Sequence, residues 1–202
     1  DRWREGDGPG AGVWFDLGPH LVDHALLLMG LPDRVTASLA LQRKGARSAD
    51  WAHVVLEFAD RRAILHASML VAGGVPRFIV HGTGGTALKH GMDVQESQLL
   101  AGMTPGAPGW GEDPDPLVLY DAEGHASRLP AEHGDQREFY RLVAEAVRGR
   151  DANPVPPIQS LAVMAVIEAA ERSAAEGCSV ELPLTDAERA AWVASRAYGF
   201  TP

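Results

Sequence analysis

Residues 10–24 read Gly10-Ala11-Gly12-Val13-Trp14-Phe15-Asp16-Leu17-Gly18-Pro19-His20-Leu21-Val22-Asp23-His24. Small residues let the backbone pack closely, two aromatics follow, and Asp16 and His20 stand four residues apart. Beyond Pro19 the chain is strongly apolar through Leu26-Leu27-Leu28-Met29, and Gly30 closes the run. The pattern predicts a short buried helix over Asp16 to Gly30, with Pro19 in its first turn and Gly30 at its C-terminal cap. If the helical turn already includes Asp16, the i, i+4 spacing sets Asp16 and His20 on one face.

Proton transfer is the chemistry such a pair performs. The dipole at a helix N-terminus disfavours the imidazolium, so a histidine there can act as a base, and a carboxylate one turn earlier orients its ring. Spacing alone also fits Asp16 as a simple helix cap and His20 as a satisfied core histidine, the commoner origin of such pairs.

After Gly30 the period changes to alternation. Val35, Ala37, Leu39 and Leu41 share one strand face, and Arg43 to Asp50 reads as a charged loop. His53–Phe58 and Ala63–Met69 flank Asp60-Arg61 as a hairpin. Arg77–His81 and Thr86–Lys89 are further strands, with weaker ones at Leu117–Tyr120 and Ala126–Leu129. Short strands with tight connections predict an antiparallel sheet. Gly102–Pro116, rich in Gly and Pro and carrying Trp110, reads as an irregular loop. A capping box at Asp135–Glu138 opens a helix that Gly149 ends. Ile158–Glu176 is apolar around most of its circumference and therefore central. Cys178, Val180, Leu182 and Leu184 alternate as a last strand. Thr185–Glu188 is a second capping box, and Trp192, Tyr198 and Phe200 on the short element after it suggest docking.

Composition narrows the classes of function. The net charge is −9 and the lysines are Lys44 and Lys89 alone, with no basic stripe, so no nucleic-acid partner is expected. The longest apolar run is far too short for a membrane span, and the opening Asp-Arg-Trp-Arg-Glu has no apolar segment of a signal peptide. A single cysteine, Cys178, fits a reducing, cytoplasmic compartment. A chain of 202 residues suits one medium domain, and its start at Asp1 suggests a piece of a longer protein.

Three motifs point elsewhere and are set aside. Gly82-Thr83-Gly84-Gly85-Thr86-Ala87 fits the dinucleotide fingerprint, but no helix and parallel strand follow, so it reads as a hairpin turn. His20 and His24 have zinc-helix spacing, yet the glutamate after the first histidine and a third ligand are missing, so no metal is expected. His66 and Ser68 share a strand face without the context of a nucleophile.

The run from Gly10 to Asp23 resembles a signature of the glucose–fructose oxidoreductase/inositol dehydrogenase (Gfo/Idh/MocA) family. The resemblance continues through His53-Val54-Val55-Leu56, Leu65–Met69, Pro76–Thr83 and Asn153-Pro154-Val155, and so covers most of the chain. It implies an α+β fold: an open, mostly antiparallel sheet with helices on one face, as in the C-terminal domains of dihydrodipicolinate-reductase-like enzymes. Residues 1–202 would be a single substrate-binding and oligomerisation domain, without the Rossmann domain that binds the cofactor. The implied parent is an NAD- or NADP-dependent dehydrogenase acting on a CH–OH group of a sugar, polyol or related small molecule. His20 and Asp16 would be catalytic, and Arg77, Arg4 and Trp3 would contact substrate. No cofactor-binding residue is expected in this chain, which would be inactive alone and would form a homodimer through its sheet face. A non-catalytic dimerisation or interaction module is the competing expectation.

Overall fold

The Val13 amide donates to Ala49 O at 2.8 Å, which fixes where the first helix begins. The computed structural model describes residues 5–196. Helix α1 spans Val13–Met29 and starts from Gly12, whose φ of 99° suits glycine; a Cβ there would lie 2.9 Å from Ala49 O. The start lies three residues before Asp16, so Pro19 sits inside the helix rather than in its first turn. Lacking an N–H, Pro19 leaves the Phe15 carbonyl without its intrahelical donor. At the other end the Gly30 amide caps Leu26 O at 2.9 Å, as expected. The helix is buried on one side only, since Leu17, Leu27 and Leu28 are exposed.

The chain forms two compact units, Asp1–Val71 with Val155–Pro202, and Ala72–Pro154. In the first, β1 (Arg34–Ala40), β2 (Trp51–Glu57), β3 (Arg62–Ser68) and β8 (Val180–Glu181) form an antiparallel sheet in the order β3-β2-β1-β8. Alternation assigns the two faces. Val35, Ala52, Val54, Leu56, Ala63, Leu65 and Ala67 are buried on one, under α1 and α4 (Pro157–Glu176). The central position expected for α4 is observed: it packs on β1, α1, β8 and α5 (Asp186–Arg196). Ser173 of α4 is fully buried, and its Oγ donates to Cys178 O at 2.6 Å while accepting the Ala37 amide at 2.9 Å. One hydroxyl thus ties α4 to both β1 and the chain entering β8.

Helices α1 and α4 approach closely because residue 18 is glycine. A Cβ there would lie 2.8 Å from Trp14 Cε3 and 3.0 Å from Ile167 Cδ1. Helix propensity favours alanine by about 1 kcal/mol, whereas overpacking costs about 1–3 kcal/mol. Both atoms belong to a fixed core, so the clash wins, and Gly18→Ala lowers the urea midpoint of unfolding at unchanged m-value.

The second unit holds β4 (Phe78–Gly82), β5 (Gly85–Lys89), β6 (Leu117–Tyr120) and β7 (Ala126–Leu129), antiparallel in chain order. The expected strands therefore divide between two four-stranded sheets. The run Gly82–Ala87 is the β4–β5 hairpin, as read. No strand residue of this sheet is buried, nor any residue of α3 (Arg137–Val147). Polar links take the place of an apolar core. Lys89 Nζ lies 2.7 Å from Asp113 and 2.6 Å from Asp115, whose Oδ2 also accepts the amides of His90 and Gly91. The Lys89 ammonium and the Gly91 amide hold the Asp115 carboxyl at about 2, below its ordinary value.

The region after β5 contains a short helix that periodicity does not announce, α2 (Gln95–Leu100). Its buried Gln95 binds Asp93 and the Gln136 amide, while Gln98 bonds Gly109 O and the Gly111 amide. Trp110, in the expected irregular loop, is buried with its Nε1–H short of hydrogen-bond geometry; the Asp135 carboxyl is held at about 2 chiefly by the Arg137 guanidinium, against opposing burial.

The two capping boxes part ways. Thr185 and Glu188 bond reciprocally, at 2.8 Å and 3.2 Å. Asp135 instead grips Arg137, and Glu138 turns to Arg141, so that box is not formed. Trp192 of α5 is buried against the core, whereas Tyr198 and Phe200 lie outside the described residues.

Candidate active site

Helix α1 carries both members of the predicted pair. Because it begins at Val13, Asp16 falls in its first turn and His20 one turn later, on the same face. His20 is exposed, which excludes the core-histidine alternative, and the N-cap is Gly12, which excludes Asp16 as the cap. A solvent-facing imidazole beside a half-buried carboxylate can accept a proton from a ligand arriving at that face.

Asp16 also lines a pocket of the first unit. Gly12 and Val13 come from the same helix start, Arg43 and Ser48–Asp50 from the β1–β2 connection, and Met69 from the end of β3. The floor includes a residue that sequence reasoning left in a charged loop. Asp50 is 1% exposed, and its carboxylate accepts the amides of Gln42 at 2.7 Å and Arg43 at 2.9 Å, with Arg43 Nε at 3.0 Å. The Gln42 amide, against opposing burial and together with the Arg43 amide and guanidinium, holds this carboxyl below the usual range. Asp50 therefore fixes the loop whose Ala49 carbonyl sets the start of α1. Its signal in the sequence is a lone Asp at the end of a polar loop, a type that accepts nearby backbone amides.

Arg77 belongs to the second unit, where it precedes β4 and its guanidinium stands 5.8 Å from the Phe78 ring centroid. Trp3 and Arg4 lie outside the described residues. His24 is half-buried on α1. Asp121, Glu123 and His125 cluster on the β6–β7 turn, all exposed, with Asp121 accepting the amides of Glu123 and His125. The glycine run Gly82–Ala87 is a hairpin between antiparallel strands, without the helix that a dinucleotide turn leads into.

Comparison with known proteins agrees with this architecture. Residues 1–182 match the model of the oxidoreductase family's C-terminal alpha/beta domain. The uncharacterized oxidoreductase YdgJ of Escherichia coli is 42% identical over 177 residues, covering 86% of this chain and 51% of that protein. The scyllo-inositol 2-dehydrogenase (NADP(+)) IolW of Bacillus subtilis is 33% identical over 186 residues, 90% of this chain and 52% of its own length. A solved Klebsiella pneumoniae structure described as an oxidoreductase superposes with a TM-score of 0.87 at 53% identity, covering 94% of this chain and 55% of that one. The chain thus spans about half the length of the relatives it matches. With the signature helix, the antiparallel α+β architecture and a family match over most of its residues, the chain belongs to the Gfo/Idh/MocA oxidoreductases and corresponds to their C-terminal domain.

Proposed function

We propose that this chain is the C-terminal substrate-binding and oligomerisation domain of an NAD- or NADP-dependent dehydrogenase acting on a CH–OH group of a sugar, polyol or related small molecule. The observation that carries the reading is Asp16 and His20 on one accessible face of α1, with Asp16 at a pocket. IolW, named for an inositol as substrate and NADP(+) as cofactor, supports the substrate and cofactor classes. The dinucleotide, when bound by the part of the parent that this chain does not span, supplies the hydride acceptor. The role of this chain is to position the substrate hydroxyl and to take its proton on a ring nitrogen of His20, with Asp16 orienting the ring. Arg77, Arg4 and Trp3 are the proposed substrate contacts. The face of the first sheet opposite the helices pairs two copies into a homodimer, and the chain alone neither binds dinucleotide usefully nor turns over.

Side-by-side titration and assay test this. The parent is expected to oxidise a polyol such as an inositol with NAD or NADP, while the isolated chain shows neither turnover nor dinucleotide binding. Tight binding or turnover by the chain alone contradicts the reading.

A further inference from the structure

Arg43 lines the pocket beside Asp16, and the proposed reaction gives its guanidinium no part. The side chain is half-buried and held from one end. Oδ2 of the buried Asp50 accepts from Nε of Arg43 at 3.0 Å and from its backbone amide at 2.9 Å. Of the five guanidinium donors, those on Nη1 and Nη2 meet no acceptor among the described residues. The same loop is tied to α1 by the Val13 amide bond to Ala49 O, which fixes Arg43 and Asp16 as walls of one pocket.

We propose that Arg43 is a specificity-determining residue: its terminal N–H groups hold a hydroxyl of an uncharged polyol, on a carbon remote from the one oxidised. Which carbon reacts rests on the dehydrogenase reading above; which group binds rests on the pocket. The lining selects a hydroxyl over an anion. Glu5, Asp16 and Asp50 bring three carboxylates to the described lining against one guanidinium, whose charge Asp50 already balances. A carboxylate or phosphate entering there can only accept, and it meets like charge. A hydroxyl accepts from Arg43 and donates to a carboxylate of the same wall, so both of its roles are met. Asp50 orders the planar guanidinium before the ligand arrives, so little rotamer freedom is lost on binding. The cavity, about 60 Å³, has room for a few water-sized groups, so it takes one hydroxyl-bearing end and not a whole sugar ring. The rest of the ligand extends along α1 toward His20, about 6 Å beyond Asp16 along the helix axis. That is close to the separation of oxygens on opposite carbons of a six-carbon ring polyol.

Kinetics of the parent enzyme with oxidised dinucleotide, on myo-inositol, its monodeoxy analogues and an inositol monophosphate, tests it. The wild type is expected to favour inositol over the phosphate ester. It loses about tenfold or more in kcat/KM with the one analogue that lacks the bound hydroxyl. Arg43→Gln raises KM for inositol about tenfold or more with kcat within about threefold, and the penalty for that analogue disappears. Arg43→Lys, which keeps a charged donor, recovers part of the loss. A loop merely loosened by the substitution would weaken every analogue alike and leave their ratios unchanged. A second readout needs no turnover: in the ¹⁵N-arginine-labelled chain, the Nε–H signal of Arg43 shifts on addition of myo-inositol and not of inorganic phosphate. A shift with inositol, in a protein whose parent oxidises no polyol, refutes the dehydrogenase reading and leaves the subsite standing. An unmoved Arg43 signal, a wild-type KM in Arg43→Gln, unchanged analogue ratios, or a preference for the phosphate ester overturns the proposal.

Discussion

Replacing His20 by alanine in the parent enzyme is expected to lower kcat by a factor of about 10² or more, because on the proposed mechanism the hydroxyl proton loses its acceptor as hydride departs. Folding survives, since His20 is exposed and contributes nothing to the core formed by Trp14, Val22 and Leu26 along the same helix. The effect falls on kcat and kcat/KM alike if the imidazole acts only in the transition state. His24→Ala, one turn further on, leaves turnover near wild type. If the domain is an interaction module and the Asp16–His20 pair an inherited scaffold, His20→Ala leaves activity untouched. Steady-state kinetics with circular dichroism of each variant separates the two.

Trp14→Ala produces the largest stability change expected of any single substitution in the signature. The indole is 2% exposed, fills the space against Gly18 and Ile167, and donates from Nε1 to Ile167 O at 3.3 Å. Truncation opens a cavity between α1 and α4 and removes the donor to a buried carbonyl, a loss of about 3–5 kcal/mol. Against a total domain stability of about 5–15 kcal/mol, that is enough to leave the variant partly unfolded at 37 °C. Urea denaturation is the check. A loss below about 1 kcal/mol would mean that the α1–α4 contact does not anchor the site.

Legibility in the sequence followed the physics of each element. Strands β1 to β3 were readable because alternation survives wherever one face is buried, as it is at Ala52, Val54 and Leu56. Helix α4 was readable as central because apolar residues occupy most of its circumference. The start of α1 was not, because it is set by a tertiary bond from Val13 to Ala49 O that no local pattern encodes. The division into two sheets and helix α2 also escaped. The second unit is held by side-chain links such as Lys89 to Asp113 and Asp115, which join residues more than twenty positions apart. Asp16 and His20 could be paired from spacing, and proton transfer proposed for them; the resemblance favoured that proposal over a plain cap and core histidine, and the exposure of His20 came from the structure. Asp50 stayed hidden because its carboxylate serves the backbone amides of a loop rather than a reaction.

The most direct test is a crystal structure of the parent enzyme with oxidised dinucleotide and an inert substrate analogue. A ring nitrogen of His20 is expected at about 2.6–3.2 Å from the hydroxyl on the carbon facing the nicotinamide, with Asp16 on the same side. If the imidazole instead faces open solvent, with another side chain of the enzyme bonded to that hydroxyl, proton transfer by His20 is contradicted.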